Sequence, residues 1–336
     1  MTKMRSYGIV LFLVMMAWGV YATFIPMSKE KTLQEITIPS GATLRQISHI
    51  LKSENLIRSQ YLFLVYSKIY RLDHQLRAGV FSLSPSYALP RLVGILQEKE
   101  GAASLVKITI PEGYLIDEIG NVLAEKGLAE KGAFLQAVAT AKEDFNQKYP
   151  FLSKVPTSNL EGYLFPETYI FAKGVHVDTI VDAFLKTFQS KIMPIWDANK
   201  DKTLSLHEMV TLASIVQQEA YLVSEMPLIS GVFHNRLKKK MLLASCPTVA
   251  YAMGDPHKRL LTYKDLEFES DYNTYRRRGL PPTPIASPGT KAFEAAMHPE
   301  KTSYLYFVSN QDGSHSFNTT LYQHHRRQQE ILKQNK

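Results

Sequence analysis

The 336-residue chain contains very little cysteine, since Cys246 is its only one. A single cysteine excludes a disulfide framework within the chain and any zinc or redox site built on paired cysteines. Charged residues make up only 21% of the chain and apolar residues 45%. These proportions exclude a largely disordered chain and a protein with many membrane spans. The length allows about two domains.

The common motifs for cofactors and metals are also missing. The sequence has no P-loop and no dinucleotide-binding glycine pattern. His207-Glu208 opens a zinc-protease pattern, but its fifth position is Thr211 where the pattern requires histidine. The sequence therefore predicts neither a metal nor a cofactor.

Basic residues exceed acidic ones. The chain has 39 lysines and arginines against 31 aspartates and glutamates, which gives a net charge of +8. Such a balance favours an anionic partner, and nucleic acid, a phospholipid surface and an anionic wall polymer all fit it.

A long apolar run lies at the N-terminus, where residues 6–28 carry no charge. Residues 7–25 as a helix would rise about 28 Å, close to the thickness of the hydrocarbon layer. Lys3 and Arg5 precede the run. The positive-inside rule then predicts a cytoplasmic tail at 1–6, a single-pass anchor in the inner membrane at 7–27, and an exported remainder. A cleaved signal peptide is the alternative, since residues 20–22 loosely resemble a cleavage site.

A short motif occurs twice, as Ile36–Gly41 and again 72 residues later as Ile108–Gly113. Each copy predicts a strand, a Pro/Gly turn and an amphipathic helix, followed by a second helix. A further strand at Ala78–Leu83 completes a β-α-α-β order over residues 33–101. This order resembles LysM-like carbohydrate-binding modules, and a generic small α+β unit is the alternative. Residues 104–336 then form a larger α+β domain, so that the predicted fold class is α+β behind a transmembrane helix.

Within the larger domain, local patterns predict helices over 178–190, 205–222 and 225–240. Gly279–Gly289 predicts an irregular loop, because its four prolines cannot donate backbone hydrogen bonds. A hairpin is predicted near the C-terminus, from Tyr304–Val308 and His315–Thr319.

Glu219 stands out as a candidate acid. Ser205 and Glu208 form a capping box in front of a nearly all-apolar stretch, residues 209–216, which predicts a buried helix. Glu219 shares the face of Leu212 and Ile215 near the C-terminus of this helix. Loss of solvation and the helix dipole both raise the pKa of a carboxyl there, which suits a general acid. On the pattern alone, a solvated glutamate at a helix end is the alternative.

The surrounding motifs resemble a known family. Ala213–Glu219 is similar to the catalytic-helix signature of the YceG-like endolytic murein transglycosylases. Two positions depart from the family pattern: Gln217 stands where a first glutamate is common, and Cys246 stands where aspartate usually precedes Pro-Thr-Val. Other blocks follow in the family's order: Leu160–Tyr169, Phe233–Leu237, Pro247–Tyr251, Tyr272–Tyr275, Gly279–Gly289, Tyr304–Val308 and His315–Thr319.

The resemblance implies a lyase that cleaves the β-1,4 bond between N-acetylmuramic acid (MurNAc) and N-acetylglucosamine (GlcNAc) inside peptidoglycan strands and leaves 1,6-anhydro-MurNAc ends. Glu219 is the expected catalytic residue, because its position also matches the glutamate of the wider soluble lytic transglycosylases. The implied partners are nascent glycan strands, the inner membrane through residues 7–27, and peptidoglycan synthases, with no nucleic acid. The catalytic domain is expected outside the cytoplasm.

The same motifs predict the substrate-binding residues. These residues provide carboxylates, amides, aromatic rings and a guanidinium that can bind a carboxylate through two hydrogen bonds. A purely structural role is the alternative for the acidic block at 161–169 and for the pair at 235–236. The predicted residues are Glu161, Tyr163, Glu167, Gln218, Asn235, Arg236, Asn273, Tyr275, His315 and Asn318.

Two other functions stay open on the sequence. The Gln217 departure allows a wall-binding scaffold that has lost catalysis. A hydrolytic muramidase would need a second acid opposite Glu219, and Glu161 or Glu167 are the candidates that the motifs carry.

Overall fold

The computed structural model divides the chain into two compact units, residues 1–107 with 170–175 and residues 108–169 with 176–336. The structure describes residues 21, 23–28, 33–39, 41–72, 75–97, 105–199, 203–258, 260–310 and 312–334.

The predicted fold class was wrong in one part, the transmembrane helix. None of the helices among the described residues is both long enough and apolar enough to span a bilayer. Residues 1–20 and 22, which include the predicted tail and most of the predicted anchor, lie outside the described residues.

The first unit begins with a two-stranded antiparallel sheet in which Gln34 lies opposite Leu83 and Ile38 opposite Gly79. Alternate residues of each strand are buried against the helices, as the two-residue period of a strand requires. The likeness to LysM modules stays a prediction. The elements of this unit, in chain order, are β1 (Gln34–Ile38), α1 (Leu44–Ser53), α2 (Gln60–Ile69), β2 (Gly79–Leu83) and α3 (Leu89–Gln97).

The rest of the chain is mainly helical, with two short sheets: β3 pairs with β4, and β5 with β6. Its elements are β3 (Leu105–Thr109), α4 (Ile116–Glu125), α5 (Lys131–Phe145), a 3₁₀ turn (Pro150–Lys154), β4 (Thr168–Ala172), α6 (Val177–Lys191), α7 (Met193–Ala198), α8 (Leu206–Glu219), a second 3₁₀ turn (Val223–Glu225), α9 (Met226–Lys238), α10 (Cys246–Ala252), α11 (Tyr263–Leu266), α12 (Thr290–Met297), β5 (Tyr306–Ser309), β6 (His315–Asn318) and α13 (Leu321–Gln334).

Helix α8 is the centre of the second unit, and every residue from Leu206 to Val216 except Glu208 is buried. It packs against α9, α10 and α12. The predicted capping box is confirmed, since the Ser205 hydroxyl accepts from the backbone N–H of Glu208 and the Glu208 carboxylate accepts from that of Ser205 at 2.7 Å. The helix ends at Glu219, three residues before the predicted end, because Ala220 takes an extended conformation.

The proline-rich loop Gly279–Gly289, described in full, contains neither helix nor strand, which confirms that prediction. It is nevertheless buried around Ala286. A buried loop needs partners for its backbone polar groups, and side chains of α8 supply them. The Ser214 hydroxyl accepts from the N–H of Ile285 at 3.0 Å, and the His207 ring lies 2.7 Å from the carbonyl of Pro282.

Candidate active site

Glu219 is the last residue of α8, and its side chain is largely withdrawn from solvent. The Ser245 hydroxyl donates a hydrogen bond to its Oε1 at 2.6 Å. Burial raises the pKa of the Glu219 carboxyl, while the Ser245 hydrogen bond and the charges of His315 and Arg236 oppose that rise without cancelling it. The carboxyl therefore keeps its proton to a higher pH than a free glutamate, as a general acid requires.

A buried network of hydroxyl groups holds Ser245 in place. Its N–H donates to Thr274 Oγ1 at 2.9 Å, and its carbonyl accepts from the Thr248 hydroxyl at 2.7 Å. The two threonine hydroxyls lie 2.9 Å apart. Ala244, directly before the serine, takes a left-handed backbone with φ of 45°, which is strained for a residue with a Cβ. Sequence reasoning missed Ser245, although it immediately precedes Cys246 and the Pro247–Tyr251 block.

Arg236 brings a positive charge towards Glu219 from α9, but much of its guanidinium is already used. Its Nε donates to the carbonyl of Leu305 at 2.6 Å and one terminal nitrogen donates to that of Leu243 at 2.5 Å. The guanidinium also lies over the ring of Tyr306, 5.3 Å from its centroid. Arg236 thus joins three segments of the site, and its charge favours the ionised form of Glu219.

His315, the first residue of β6, is held by a carboxylate that the sequence reasoning did not identify. Glu225 accepts from the His315 backbone N–H at 3.0 Å, and its other oxygen lies 2.7 Å from His315 Nδ1. Both side chains are mostly buried. No local pattern connects residues 90 positions apart in the chain, so only the fold could reveal the pair.

Tyr275 and Cys246 form another polar contact near Glu219, with the cysteine sulfur 3.1 Å from the tyrosine hydroxyl. Burial raises the pKa of both groups, and the charge of Glu219 adds to each rise. A thiol with a raised pKa stays protonated, which makes it a poor nucleophile. Cys246 therefore fits a packing role beside the acid.

The two glutamines before Glu219 fasten the end of α8 to neighbouring loops. Gln217 accepts from the backbone N–H of Gly289 at 3.0 Å, and Gln218 donates to the carbonyl of Gly113 at 2.8 Å. The position that departs from the family pattern, Gln217, therefore supports the proline-rich loop. A glutamine can make that bond as well as a glutamate can, because the bond needs only a side-chain oxygen.

Residues 36–330 match the model of the YceG-like family. The chain belongs to this family. It is 35% identical over 318 residues to the endolytic murein transglycosylase of Bacillus subtilis strain 168, covering 91% of this chain and 87% of that protein. The Streptococcus pneumoniae D39 protein of the same name is 30% identical, over 84% of this chain and 55% of its own length. A crystal structure of a yceG-like protein from Listeria monocytogenes aligns with this chain with a TM-score of 0.61 and 35% sequence identity. The alignment covers 88% of this chain and 99% of the Listeria chain.

Three predicted substrate-binding residues of this YceG-like chain lie in its interior. Glu161 is 5% exposed, and both of its carboxylate oxygens accept from the N–H of Ile116 at the start of α4, at 3.2 and 3.3 Å. Tyr163 is fully buried, with its hydroxyl 3.0 Å from Nδ1 of His207. Asn273, also fully buried, donates to the carbonyls of Leu266 and Phe268 at 2.9 and 2.7 Å. The structure gives all three of them structural contacts and does not bring them to the surface of a cleft.

The remaining predicted residues have mixed surroundings. Glu167 is exposed and pairs with Lys191 at 3.7 Å. Asn235 donates to the carbonyls of Thr302 and Tyr304, at 2.9 and 3.0 Å, and so fixes the chain before β5. Asn318 borders an open groove of about 390 Å³ between the β5–β6 hairpin and α13. Of the predicted set, Gln218, Arg236, Tyr275 and His315 lie near Glu219.

Proposed function

We propose that the chain is an endolytic murein transglycosylase, a lyase that cuts peptidoglycan strands at internal MurNAc–GlcNAc bonds. The observation that carries the proposal is Glu219, a carboxyl of raised pKa held by Ser245 at the end of a buried helix. The names of the B. subtilis and S. pneumoniae relatives support the same activity.

One carboxyl group can perform both proton transfers of this reaction. Glu219 first gives its proton to the glycosidic oxygen, and the bond from that oxygen to C1 of MurNAc breaks. The resulting carboxylate then takes the proton of the MurNAc C6 hydroxyl, whose oxygen bonds to C1 and closes the 1,6-anhydro ring. The Ser245 hydroxyl stabilises the carboxylate between the two steps, because a hydrogen bond donated to a charged acceptor is stronger than one to a neutral group.

The structure favours this lyase over a hydrolase. An inverting or retaining hydrolase needs a second carboxylate within about 5–9.5 Å of the first. Of the two candidates, Glu161 accepts a backbone hydrogen bond at the start of α4 in the protein interior, and Glu167 pairs with Lys191. A scaffold without catalysis is not favoured either, because the environment that raises the pKa of Glu219 is retained.

We further propose that the enzyme works outside the cytoplasm, on nascent strands beside the synthases that produce them. Peptidoglycan is assembled on that side of the membrane, and a net charge of +8 suits an anionic polymer. The predicted LysM-like module, residues 33–101, would add affinity for the glycan, as its likeness to LysM modules implies.

The test is product analysis on purified sacculi. The parent protein should release muropeptides with 1,6-anhydro ends, which mass spectrometry separates from reducing ends by the mass of one water. Glu219→Gln should lower the rate about a thousandfold or more, within the range of general acid–base catalysis, while the protein still folds. Glu208→Gln is the matched control on the same helix and should cleave normally, because glutamine can keep the capping bond to Ser205. Normal cleavage by Glu219→Gln would contradict the mechanism, and reducing ends alone would contradict the lyase.

A further inference from the structure

The segment that follows Glu219 exposes three consecutive apolar side chains. Tyr221 is 72% exposed, Leu222 37% and Val223 55%. Contiguous exposed apolar surface is uncommon on a folded protein unless it binds something. Here it begins two residues after the proposed catalytic acid.

This segment is fastened at both ends, so its exposure is not the fraying of a helix end. At its start, the Tyr221 ring lies directly on Gly313 in the turn between β5 and β6, where an added Cβ would come within 2.5 Å of the ring carbon Cδ1. At its end, Glu225 binds the backbone and the ring of His315. Gly313 also has a φ of +82°, which a residue with a side chain rarely adopts. Gly313 thereby covers the Cδ1–Cε1 side of the ring, and the rest of the ring is left to solvent.

Tyr221 also lies close to the proposed acid along the chain. Ala220 is extended, with φ of −78° and ψ of 120°, so Glu219 and Tyr221 are separated by a single extended residue. Their Cα atoms are then at most about 7 Å apart. The turn that contains Gly313 also leads into His315, whose charge acts on Glu219.

We propose that the free face of Tyr221 is the platform on which one sugar ring of the glycan strand stacks, next to the bond that Glu219 cleaves. The inference rests on the proposed function and names a residue that binds the substrate. A pyranose ring presents a face of C–H groups, and a flat aromatic face gives it dispersion contacts and removes apolar surface from water. Because Gly313 holds the ring before the substrate arrives, little side-chain freedom is lost on binding.

The experiment measures binding without turnover. Soluble glycan strands, purified from sacculi and stripped of their peptides, are titrated into full-length Glu219→Gln protein and into the same protein with a second substitution. Tyr221→Ala should weaken binding about tenfold, the upper end of the range for an aromatic contact. Tyr221→Phe should bind within about twofold of the parent, since the ring face is kept. Tyr263→Ala is the matched control, because Tyr263 is 91% exposed on α11, and it should change nothing.

A second variant moves the ring without deleting it. Gly313→Ala should displace Tyr221 and weaken binding in the same direction, with circular dichroism to check that the protein is folded. In the active background, Tyr221→Ala should raise KM for these strands with little change in kcat, because stacking that is equal in the ground and transition states affects KM alone.

Unchanged affinity in Tyr221→Ala would overturn the proposal, and so would an equal loss in Tyr263→Ala. A loss in Tyr221→Phe as large as in Tyr221→Ala would assign the contact to the hydroxyl and overturn stacking. Failure of the proposed function would look different: the parent protein would release no anhydro ends whatever the binding series showed.

Discussion

The two copies of the repeat, Ile36–Gly41 and Ile108–Gly113, have the same local shape and different surroundings. Gly41 and Gly113 both take left-handed backbones, with φ of +75° and +85°. No described atom lies within 4 Å of a Cβ built on Gly41, whereas a Cβ on Gly113 would contact the side chain of Gln218. The carbonyl of Gly113 also accepts from Gln218, one residue before the proposed acid. The second turn is therefore joined to the site through Gln218.

The helices that follow the two turns differ in the same way. Helix α1 is capped locally, by Thr43 and Gln46 on the exposed surface. At the start of α4, Leu115 has no capping side chain of its own, and Glu118 accepts from its backbone N–H at 2.8 Å, as Gln46 does from Thr43. The N–H of Ile116 is bound there by Glu161, a buried carboxylate 45 residues away. The repeated pattern therefore encodes a strand, a turn and a helix, while contacts distant in sequence give one copy a role in the site.

The largest expected difference between the copies lies in the pH dependence of stability. Burial raises the pKa of Glu161 from 4.5 to about 8. Its contribution to the free energy of unfolding is therefore fully present below pH 4.5 and is lost progressively as the pH rises to about 8. We expect the unfolding free energy of the parent to fall relative to that of Glu161→Gln by several kcal/mol over this window, at about 1.4 kcal/mol per pKa unit.

Urea denaturation at a series of pH values from 4 to 9 measures this difference. The matched change in the first copy is Thr43→Ala, which removes a cap that does not titrate and should cost about 1 kcal/mol at every pH. A pH-independent difference between the parent and Glu161→Gln would contradict the buried state of this carboxyl.

Substitutions in the two turns should also differ in their effect on turnover. Gly113→Ala and Gly41→Ala introduce the same backbone strain and should each cost about 1–2 kcal/mol of stability. In Gly113→Ala the strain falls on the residue whose carbonyl binds Gln218, and we expect cleavage of sacculi to slow roughly tenfold, since small displacements of a catalytic group are costly. Turnover in the Gly41→Ala protein should match the parent. Equal rates in both variants would show that the second turn does not reach the acid.

The activity should have a pH dependence of its own, independent of the Glu161 cap. Ser245→Ala removes the hydrogen bond that lowers the pKa of Glu219, so that pKa should rise further. Because the acid form is active, the alkaline limb of the pH–rate profile should move to higher pH, and the maximal rate should fall. Glu161→Gln should leave the position of that limb unchanged. A limb that moves to lower pH in Ser245→Ala would show that the serine favours the protonated carboxyl.

The smallest effects are expected from a pair of glutamines. Gln46→Ala removes part of the α1 cap, and Gln218→Ala removes the bond to Gly113. Each should lower the unfolding free energy by about 1 kcal/mol, the value of an ordinary hydrogen bond. Thermal unfolding and turnover are measured on both proteins, and only Gln218→Ala should cleave more slowly. A slower Gln46→Ala protein would mean that the first copy also acts on the site.

Sequence motifs pointed to the right part of the molecule and identified some of its side chains. Arg236, Tyr275 and His315 were selected because they lie in family motifs, and the structure brings them near Glu219. Tyr163 and Asn273 were selected on the same grounds but are fully buried. A polar residue in a motif gives the same signal whether it contacts a ligand or completes a hydrogen bond of the fold.

Short-range patterns alone determined α8 with its capping box, the irregular proline-rich loop and the β5–β6 hairpin, because capping, proline chemistry and turn residues act over a few positions. They also singled out Glu219. Only the tertiary structure decided that α8 ends at this residue, that Ser245 donates to it and that Glu225 holds His315. These contacts join residues 26 and 90 positions apart. The pKa of a carboxyl depends on the solvation and the charges around it, and those are set by packing between distant segments of the chain.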